Sequence, residues 1–118
     1  MQYNNEKFII VRNIKKFILD LENLLINFPK KEFLNKDMIY KDALMILELT
    51  YIANDTKDNN EKIKVQIAIL SKINMLDFYL ERAYKKKYIS ERQCLNKLRE
   101  LEIISKMIYS WIKNARIC

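Results

Sequence analysis

Apolar residues recur every three or four positions between residues 62 and 113, in two runs that a short polar segment separates. This spacing places side chains on one face of an α-helix. The first run consists of Val65, Ile69, Ile73, Leu76, Leu80 and Ala83, and the second of Cys94, Leu98, Leu101, Ile108 and Ile112, with the small residue Ser105 at the same spacing. The pattern predicts two helices, one ending near residue 84 and one running from residue 90 to about 113, that pair as a hairpin.

Helix-capping residues mark where two of the predicted helices begin. The Ser90 hydroxyl can accept a hydrogen bond from the amide of Gln93, and the Gln93 side chain can reach back to the amide of Ser90, which is the capping-box arrangement. With this cap, the chain is expected to turn without a glycine. Residues 54–60 form a polar loop, in which Asp58 or one of the asparagines is expected to cap the helix that follows.

Earlier in the chain, a broad apolar stripe predicts a first helix over about residues 5–27. The stripe comprises Phe8, Val11, Ile14, Ile18, Leu21, Leu25 and Phe28, and it is widened by Ile10, Phe17 and Leu24. One neighbouring helix covers less apolar surface than this. The helix therefore either lies centrally in a bundle or contacts another subunit. Pro29 ends it, because proline has no amide donor and disfavours helical angles in the residue before it.

A second helix is expected from residue 31 or 36 to about 53, where Ile39, Ala43, Ile46, Thr50 and Ala53 share one face. Four helices of roughly 20 residues are each about 30 Å long, and short connections make sequential neighbours antiparallel. The chain contains no glycine and one proline, which argues against strand-rich folds with many tight turns. The predicted fold is all-α, an up-down-up-down antiparallel four-helix bundle, with residues 1–118 as one domain.

The sequence offers few residues for catalysis or metal binding. It contains no histidine, so no histidine is available as a general base and no Cys/His zinc site can form. The acidic residues Glu48, Asp77, Glu81 and Glu102 stand singly, without the Glu-x-x-His pairs of di-iron bundles. We therefore expect no enzymatic activity, no metal and no cofactor.

The cysteines and the hydropathy of the chain indicate in which cellular compartment the protein is expected. Cys94 lies on an apolar helix face and Cys118 is the last residue, a placement that does not suit a disulfide framework. Cys94 is expected to be a buried, reduced thiol. The first residues lack the features of a signal peptide, and charged residues interrupt the apolar runs before the ~20 residues that a membrane span requires. These features favour a soluble cytoplasmic protein without a membrane partner.

The chain has 22 Lys and Arg against 15 Asp and Glu, a net charge of +7, which favours polyanionic partners. Arg82, Lys85, Lys86, Lys87 and Arg92 crowd the junction of the third and fourth helices, and Lys30 and Lys31 follow the first. This clustering suits contacts to nucleic-acid phosphates without sequence specificity. The alternatives are that the lysines serve solubility or complement the C-terminal dipoles of the helices.

Aromatic residues lie in the basic cluster and near the end of the fourth helix. Tyr79, Tyr84 and Tyr88 are interleaved with the basic cluster, where rings can stack on bases or rim a core or subunit interface. The second interpretation is favoured for these three rings. Trp111, Ile108 and Tyr109 are expected at an oligomer interface, because the first and last helices carry apolar residues on more than one face. For Trp111, a place in the core is the alternative.

Several segments together resemble one protein family. They are residues 76–84 (LDFYLERAY), 88–93 (YISERQ) and 103–113 (IISKMIYSWIK), preceded by 28–31 (FPKK) and by matching positions between 46 and 54. Their order and spacing are similar to those of the accessory variability determinant, the four-helix-bundle protein that accompanies the reverse transcriptase of diversity-generating retroelements. The resemblance covers about residues 26–113. That family often has glycine where this chain has Lys36, Ser105, Tyr109 and Ser110, so helix packing near the C-terminal end is expected to differ.

The resemblance implies a non-catalytic accessory protein that forms a homopentameric barrel, binds the reverse transcriptase and associates with template RNA or cDNA. A ribosomal-RNA intervening-sequence protein with the same bundle is the alternative. That family tends to carry an SIPANIAEG-like segment on its second helix, whereas residues 44–54 (LMILELTYIAN) contain neither proline nor glycine. A purely structural helical oligomerisation adaptor is the third possibility.

Overall fold

Four α-helices follow one another along the chain, and no strand occurs among the residues that the structure describes. The computed structural model describes the backbone of residues 5–117 and the side chains of residues 9–114. The helices are α1 (Asn5–Leu25), α2 (Phe33–Asp55), α3 (Asn59–Lys85) and α4 (Glu91–Ile117), with a single 3-10 turn, Lys30–Glu32, before α2. The prediction of four helices is confirmed, and their ends lie within a few residues of the expected positions.

The helices form a four-helix bundle in which each helix packs against the next, and α4 closes the ring against α1. The bundle is elongated, with extents of 46 × 23 × 22 Å. The α1–α2 and α3–α4 connections meet at one end, where the rings of Phe28 and Tyr88 lie 5.4 Å apart. The α2–α3 connection lies at the opposite end, as the antiparallel arrangement requires.

The broad apolar stripe of α1 is covered within the chain itself. All of its described members are buried, namely Ile10, Val11, Ile14, Phe17, Ile18, Leu21, Leu24, Leu25 and Phe28. Both α2 and α4 pack against α1, so two neighbours share a surface that is too wide for one. Packing within the bundle therefore accounts for this stripe, and contact with another subunit is not needed to explain it.

The inward face of α4 matches the predicted face at four of its six positions and differs at two. Lys97 and Ile104 are buried, whereas Leu98 and Ser105 at the predicted positions are only half-buried. Because lysine side chains are almost always exposed, the predicted inward face was drawn from apolar residues and did not include Lys97. Its burial brings a charged group to the contact between α1 and α4.

The predicted helix caps are confirmed. The Asp58 carboxylate accepts a hydrogen bond from the amide of Glu61 at 2.9 Å, which caps α3. At the start of α4, the Ser90 hydroxyl accepts from the amide of Gln93 at 3.1 Å, and the amide of Ser90 donates to Gln93 Oε1 at 2.9 Å. Both halves of the capping box are therefore formed.

The α3–α4 turn also uses a left-handed residue, which the sequence reasoning did not foresee. Lys87 has a φ of 66°. The amide of Lys87 donates to the carbonyl of Tyr84, and the amide of Tyr88 donates to the carbonyl of Ala83, both at 2.9 Å. These two bonds define a Schellman motif, in which glycine usually takes the left-handed position. The Ser90 cap alone therefore does not turn the chain.

Candidate nucleic-acid interface

A network of side-chain hydrogen bonds joins the two connections at one end of the bundle. The Tyr88 hydroxyl donates to Oε1 of Glu32 at 2.6 Å, and the Asn35 side-chain amide donates to the other carboxylate oxygen. Arg82 in turn donates from Nη2 to Oδ1 of Asn35 at 3.0 Å. The network links α2 to both α3 and the α3–α4 turn, so it holds the two connections in one arrangement.

The hydrogen bond between Tyr88 and Glu32 shifts the pKa values of both residues. The hydrogen bond from Tyr88 lowers the pKa of the Glu32 carboxyl, and the bond from Asn35 and the positive charges of Lys86 and Lys31 act in the same direction. The same bond raises the pKa of the Tyr88 hydroxyl, because the proton stays on the donor beside a carboxylate. Around neutral pH the pair is a charged acceptor with a neutral donor.

The lysines of the two connections lie at the same end of the molecule. Lys30 and Lys31 occupy the turn before α2, while Lys85 ends α3 and Lys86 and Lys87 lie in the turn after it, and all five are exposed. One lysine from each group, Lys31 and Lys86, acts on the charge of Glu32, so the two groups approach each other at this carboxylate. Arg92 is exposed in the first turns of α4. We call this group of six exposed residues, Lys30, Lys31, Lys85, Lys86, Lys87 and Arg92, the basic end.

Arg82 differs from the other residues that were predicted to bind nucleic acid. It is half-buried, and its guanidinium carbon lies 5.4 Å from the ring centre of Phe78 and 5.2 Å from that of Tyr79. Together with its bond to Asn35, these contacts orient the side chain within the bundle. The geometry gives Arg82 a part in holding the basic end together.

The three tyrosines of this region are not equivalent. Tyr79 is buried, and Tyr88 is half-buried with its hydroxyl on Glu32, while Tyr84 is 40% exposed. Two exposed rings that the sequence reasoning did not select are Phe33, at 62%, and Phe78, at 52%. The signal for Phe33 was present in the sequence, because it directly follows Lys30, Lys31 and Glu32 at the start of a helix.

The three residues predicted for an oligomer interface, with the core as the alternative for Trp111, separate in the structure. Ile108 is fully buried, Trp111 is 3% exposed, and both pack in the core of the bundle. Tyr109 is 62% exposed on α4. The core accounts for Ile108 and Trp111, and the interface prediction stays a prediction for Tyr109.

A buried charged group that the sequence reasoning missed lies between α1 and α4. Lys97 Nζ lies 3.0 Å from Glu100 Oε2 and 3.9 Å from Asp20 Oδ2, and 5.4 Å from the centre of the Phe17 ring. Two carboxylates and an aromatic face thus compensate the loss of water around the ammonium group. These contacts explain how α4 accommodates a lysine on its inward face.

The acidic residues remain dispersed in the fold. Within the part of the chain that the structure describes, no three acidic or cysteine side chains gather where they could hold a metal ion. Burial, followed by the charge of Glu81, raises the pKa of Asp77. Burial likewise raises the pKa of the Cys94 thiol, with smaller effects from Glu81 and Asp77. Among the described helices, none has the length and apolar character needed to span a bilayer.

Comparison with known proteins gives a structural match. No model of a protein family matches the sequence, and no curated protein matches it either. The fold is similar to the crystal structure of a protein of unknown function from the S23 ribosomal protein family of Bacteroides thetaiotaomicron, with a TM-score of 0.83. The two are 18% identical, and the match covers 92% of this chain and 98% of the other. At this level of identity the likeness shows a shared four-helix fold.

Proposed function

We propose that this chain is a non-catalytic accessory protein of a diversity-generating retroelement, which binds nucleic acid through the basic end and docks on the reverse transcriptase. The observation that carries the nucleic-acid part is the meeting of the two lysine-rich connections at one end of the bundle. The resemblance of residues 26–113 to the accessory variability determinant supports the reverse transcriptase as partner. The proposed protein forms a homo-oligomer and acts in the cytoplasm without a cofactor.

The arrangement of charges supports binding to a phosphate backbone. Lys30, Lys31 and the run 85–87 project from two turns that are held together through Glu32 and Tyr88. Each lysine that neutralises a phosphate releases counterions, and this release depends on charge alone. A surface of this kind therefore attracts RNA and DNA of any sequence. A ring of chains, each with a net charge of +7, would strengthen the field.

The test is the salt dependence of binding for three proteins. Lys85, Lys86 and Lys87 are replaced together by alanine, and a control variant carries alanine at Lys57, Lys64 and Lys106, which are exposed away from the basic end. Both triple variants lose the same net charge. Affinity for a single-stranded oligonucleotide is measured between ~50 and ~200 mM salt. We expect the slope of log affinity against log salt to fall by about 0.7 for each lost phosphate contact in the first variant only.

The opposite result is equally clear. If the lysine run only complements the C-terminal dipole of α3, the first variant melts at a slightly lower temperature and binds with unchanged affinity. Equal losses in both triple variants would show that net charge, rather than the basic end, determines binding. Docking on the reverse transcriptase is tested separately, by co-purification of the two proteins in high salt, where contacts to phosphates are weak.

A second candidate is a ribosomal-RNA intervening-sequence protein of the same bundle type. The observation in its favour is the fold likeness to a protein whose family name is S23 ribosomal protein. Gene context separates the two candidates. A reverse transcriptase gene with a repeat pair beside the gene for this chain supports the first, and a position inside a ribosomal-RNA gene supports the second.

A further inference from the structure

A shallow groove lies between the end of α1 and the start of α2, directly beside the basic end. It has a volume of about 440 Å³, and its walls include Leu25, Ile26, Phe33, Lys36 and Tyr40. Ile26 is 76% exposed and Phe33 is 62% exposed. A helix that begins with an exposed phenylalanine places a flat apolar surface in water, where a ligand can cover it.

The acidic groups at this groove already have partners. The Tyr40 hydroxyl donates to Glu22 Oε2 at 3.1 Å, and Lys41 Nζ lies 2.9 Å from Asp37 Oδ2. Lys36 is half-buried on the groove wall, and no ion pair involves it among the residues that the structure describes. The lysines at 30 and 31 lie within one turn of Phe33. Glu22 and Asp37 also line the groove, and Lys30, Lys31 and Lys36 set three positive charges against these two carboxylates.

We infer that this groove binds an unpaired base of single-stranded nucleic acid, which stacks on Phe33 while the adjoining phosphates lie against Lys30, Lys31 and Lys36. The inference rests on the proposed function and specifies the form of nucleic acid that the basic end takes. Stacking of a base on an aromatic side chain is sequence-tolerant, because every base has an apolar face. Bases in a duplex are already stacked on their neighbours and do not reach the ring.

The role of Phe33 is tested by a substitution that removes the aromatic ring and keeps the side chain apolar. In the variant Phe33→Leu, affinity for a single-stranded oligonucleotide should fall roughly 5- to 100-fold, which corresponds to the loss of one stacked base. Affinity for a duplex should stay within twofold of wild type. Phe33→Trp should restore binding to the single strand. The matched control is Leu19→Ala, because Leu19 on α1 has a similar exposure of 63% and lies outside both the groove and the basic end.

An abasic oligonucleotide of equal length separates stacking from phosphate contact. It keeps the charges and lacks the bases, so wild type and Phe33→Leu should bind it equally. The experiment is run with single-stranded RNA and with single-stranded DNA, and a loss confined to one of them identifies that nucleic acid as the ligand. Circular dichroism and mass in solution are compared for all variants, to show that the bundle and its assembly are unchanged.

The failures of the two proposals are distinguishable. If Phe33→Leu binds the single strand like wild type while the triple lysine variant is weakened, the stacking inference is overturned and the basic end stands. If Phe33→Leu changes the mass in solution, the ring belongs to a subunit contact, and the inference is also overturned. If wild type shows no salt-dependent binding to any oligonucleotide, the proposed nucleic-acid function fails and the inference fails with it.

Discussion

Tyr88 and Glu32 lie 56 positions apart in the sequence, yet the Tyr88 hydroxyl donates a 2.6 Å hydrogen bond to Glu32 Oε1. The bond joins the α3–α4 turn to the α1–α2 connection, and its carboxylate also accepts from Asn35. Since the basic end consists of residues on both connections, this pair sets the distance between its two groups of lysines. Its loss should affect both stability and nucleic-acid binding.

We expect Tyr88→Phe to lower the melting temperature at neutral pH and to weaken oligonucleotide binding. The pKa of Glu32 is lowered from 4.5 in the folded protein, so the stabilisation is present above the unfolded-state pKa and is lost as the pH falls through the folded-state pKa. The melting temperatures of wild type and variant should therefore converge in acid. Thermal melts at pH 7 and pH 3 measure this. Tyr84→Phe is the control, and an equal effect of both variants would contradict the role of the bond.

Helix positions and their caps could be predicted from the sequence because they depend on local spacing. The stripe on α3 and the capping box of Ser90 and Gln93 are examples, since every partner lies within one or two turns. The link from Arg82 to Asn35 spans 47 positions and depends on how α2 and α3 pack. A single sequence carries no signal for such a contact, so Arg82 was grouped with the exposed lysines.

Three further features were not predicted, each for a different reason. The left-handed residue Lys87 breaks the rule that glycine takes this position, and the chain has no glycine to offer. Lys97 breaks the rule that lysine stays in water, because Glu100, Asp20 and Phe17 together surround it. Phe33 stands beside Lys30 and Lys31 in the sequence, but the apolar pattern alone does not show that its ring is exposed.

Replacement of Lys87 by glycine should stabilise the protein. A side chain at positive φ costs about 1–2 kcal/mol, and glycine avoids this cost while it adds about 0.5–1 kcal/mol of chain entropy to the unfolded state. The net expectation is an increase of about 0.5–1 kcal/mol in the free energy of unfolding. Urea denaturation measures it. Lys86→Gly, at a φ of −83°, is the control and should destabilise. A loss of stability in Lys87→Gly would contradict the left-handed conformation.

Gln66 is a polar residue in the core, and we expect it to destabilise the fold. It is fully buried on α3, and neither its Nε2 nor its Oε1 has a hydrogen-bond partner in the structure as described. An unsatisfied buried polar group costs about 1–3 kcal/mol. Gln66→Met, which keeps a similar shape, should raise the free energy of unfolding by about this amount, with an unchanged dependence on urea concentration.

The matched control for Gln66 is Thr50→Val, which is also buried but has a satisfied hydroxyl. The Thr50 side chain donates to the carbonyl of Ile46 at 2.7 Å, so removal of the hydroxyl does not relieve an unpaired group. We expect its effect to stay below about 1 kcal/mol. A loss of stability in Gln66→Met would show that the amide has a partner that the variant removes.

Cys94 should resist modification in the folded protein. It is 4% exposed, its thiol donates to the carbonyl of Leu80 at 3.6 Å, and its raised pKa reduces the reactive thiolate. Cys118 lies outside the described residues, so Cys118→Ser is the background that isolates the Cys94 thiol. Labelling with a thiol reagent should be slow in buffer and fast in urea. A fast rate without denaturant would contradict the burial of Cys94.

The last prediction concerns assembly. Leu34, Met38, Met45 and Ile52 are spaced so that they share one face of α2, and they are between 39% and 64% exposed. Large apolar side chains that recur in water along one helix face are often covered by another molecule. Light scattering after gel filtration should therefore give several times the chain mass of 14.3 kDa, with a pentamer as the expectation from the resemblance.

Two variants that introduce lysine locate the contact between subunits. If the α2 stripe carries it, the double change Met38→Lys and Met45→Lys should lower the mass toward that of a monomer, because it introduces charges that cannot be buried unpaired. If the contact lies on α4 instead, Tyr109→Lys should have this effect and the α2 variant should not. Helicity by circular dichroism controls for unfolding, since all three positions are exposed in the bundle. A wild-type monomer at micromolar concentration would rule out the oligomer altogether.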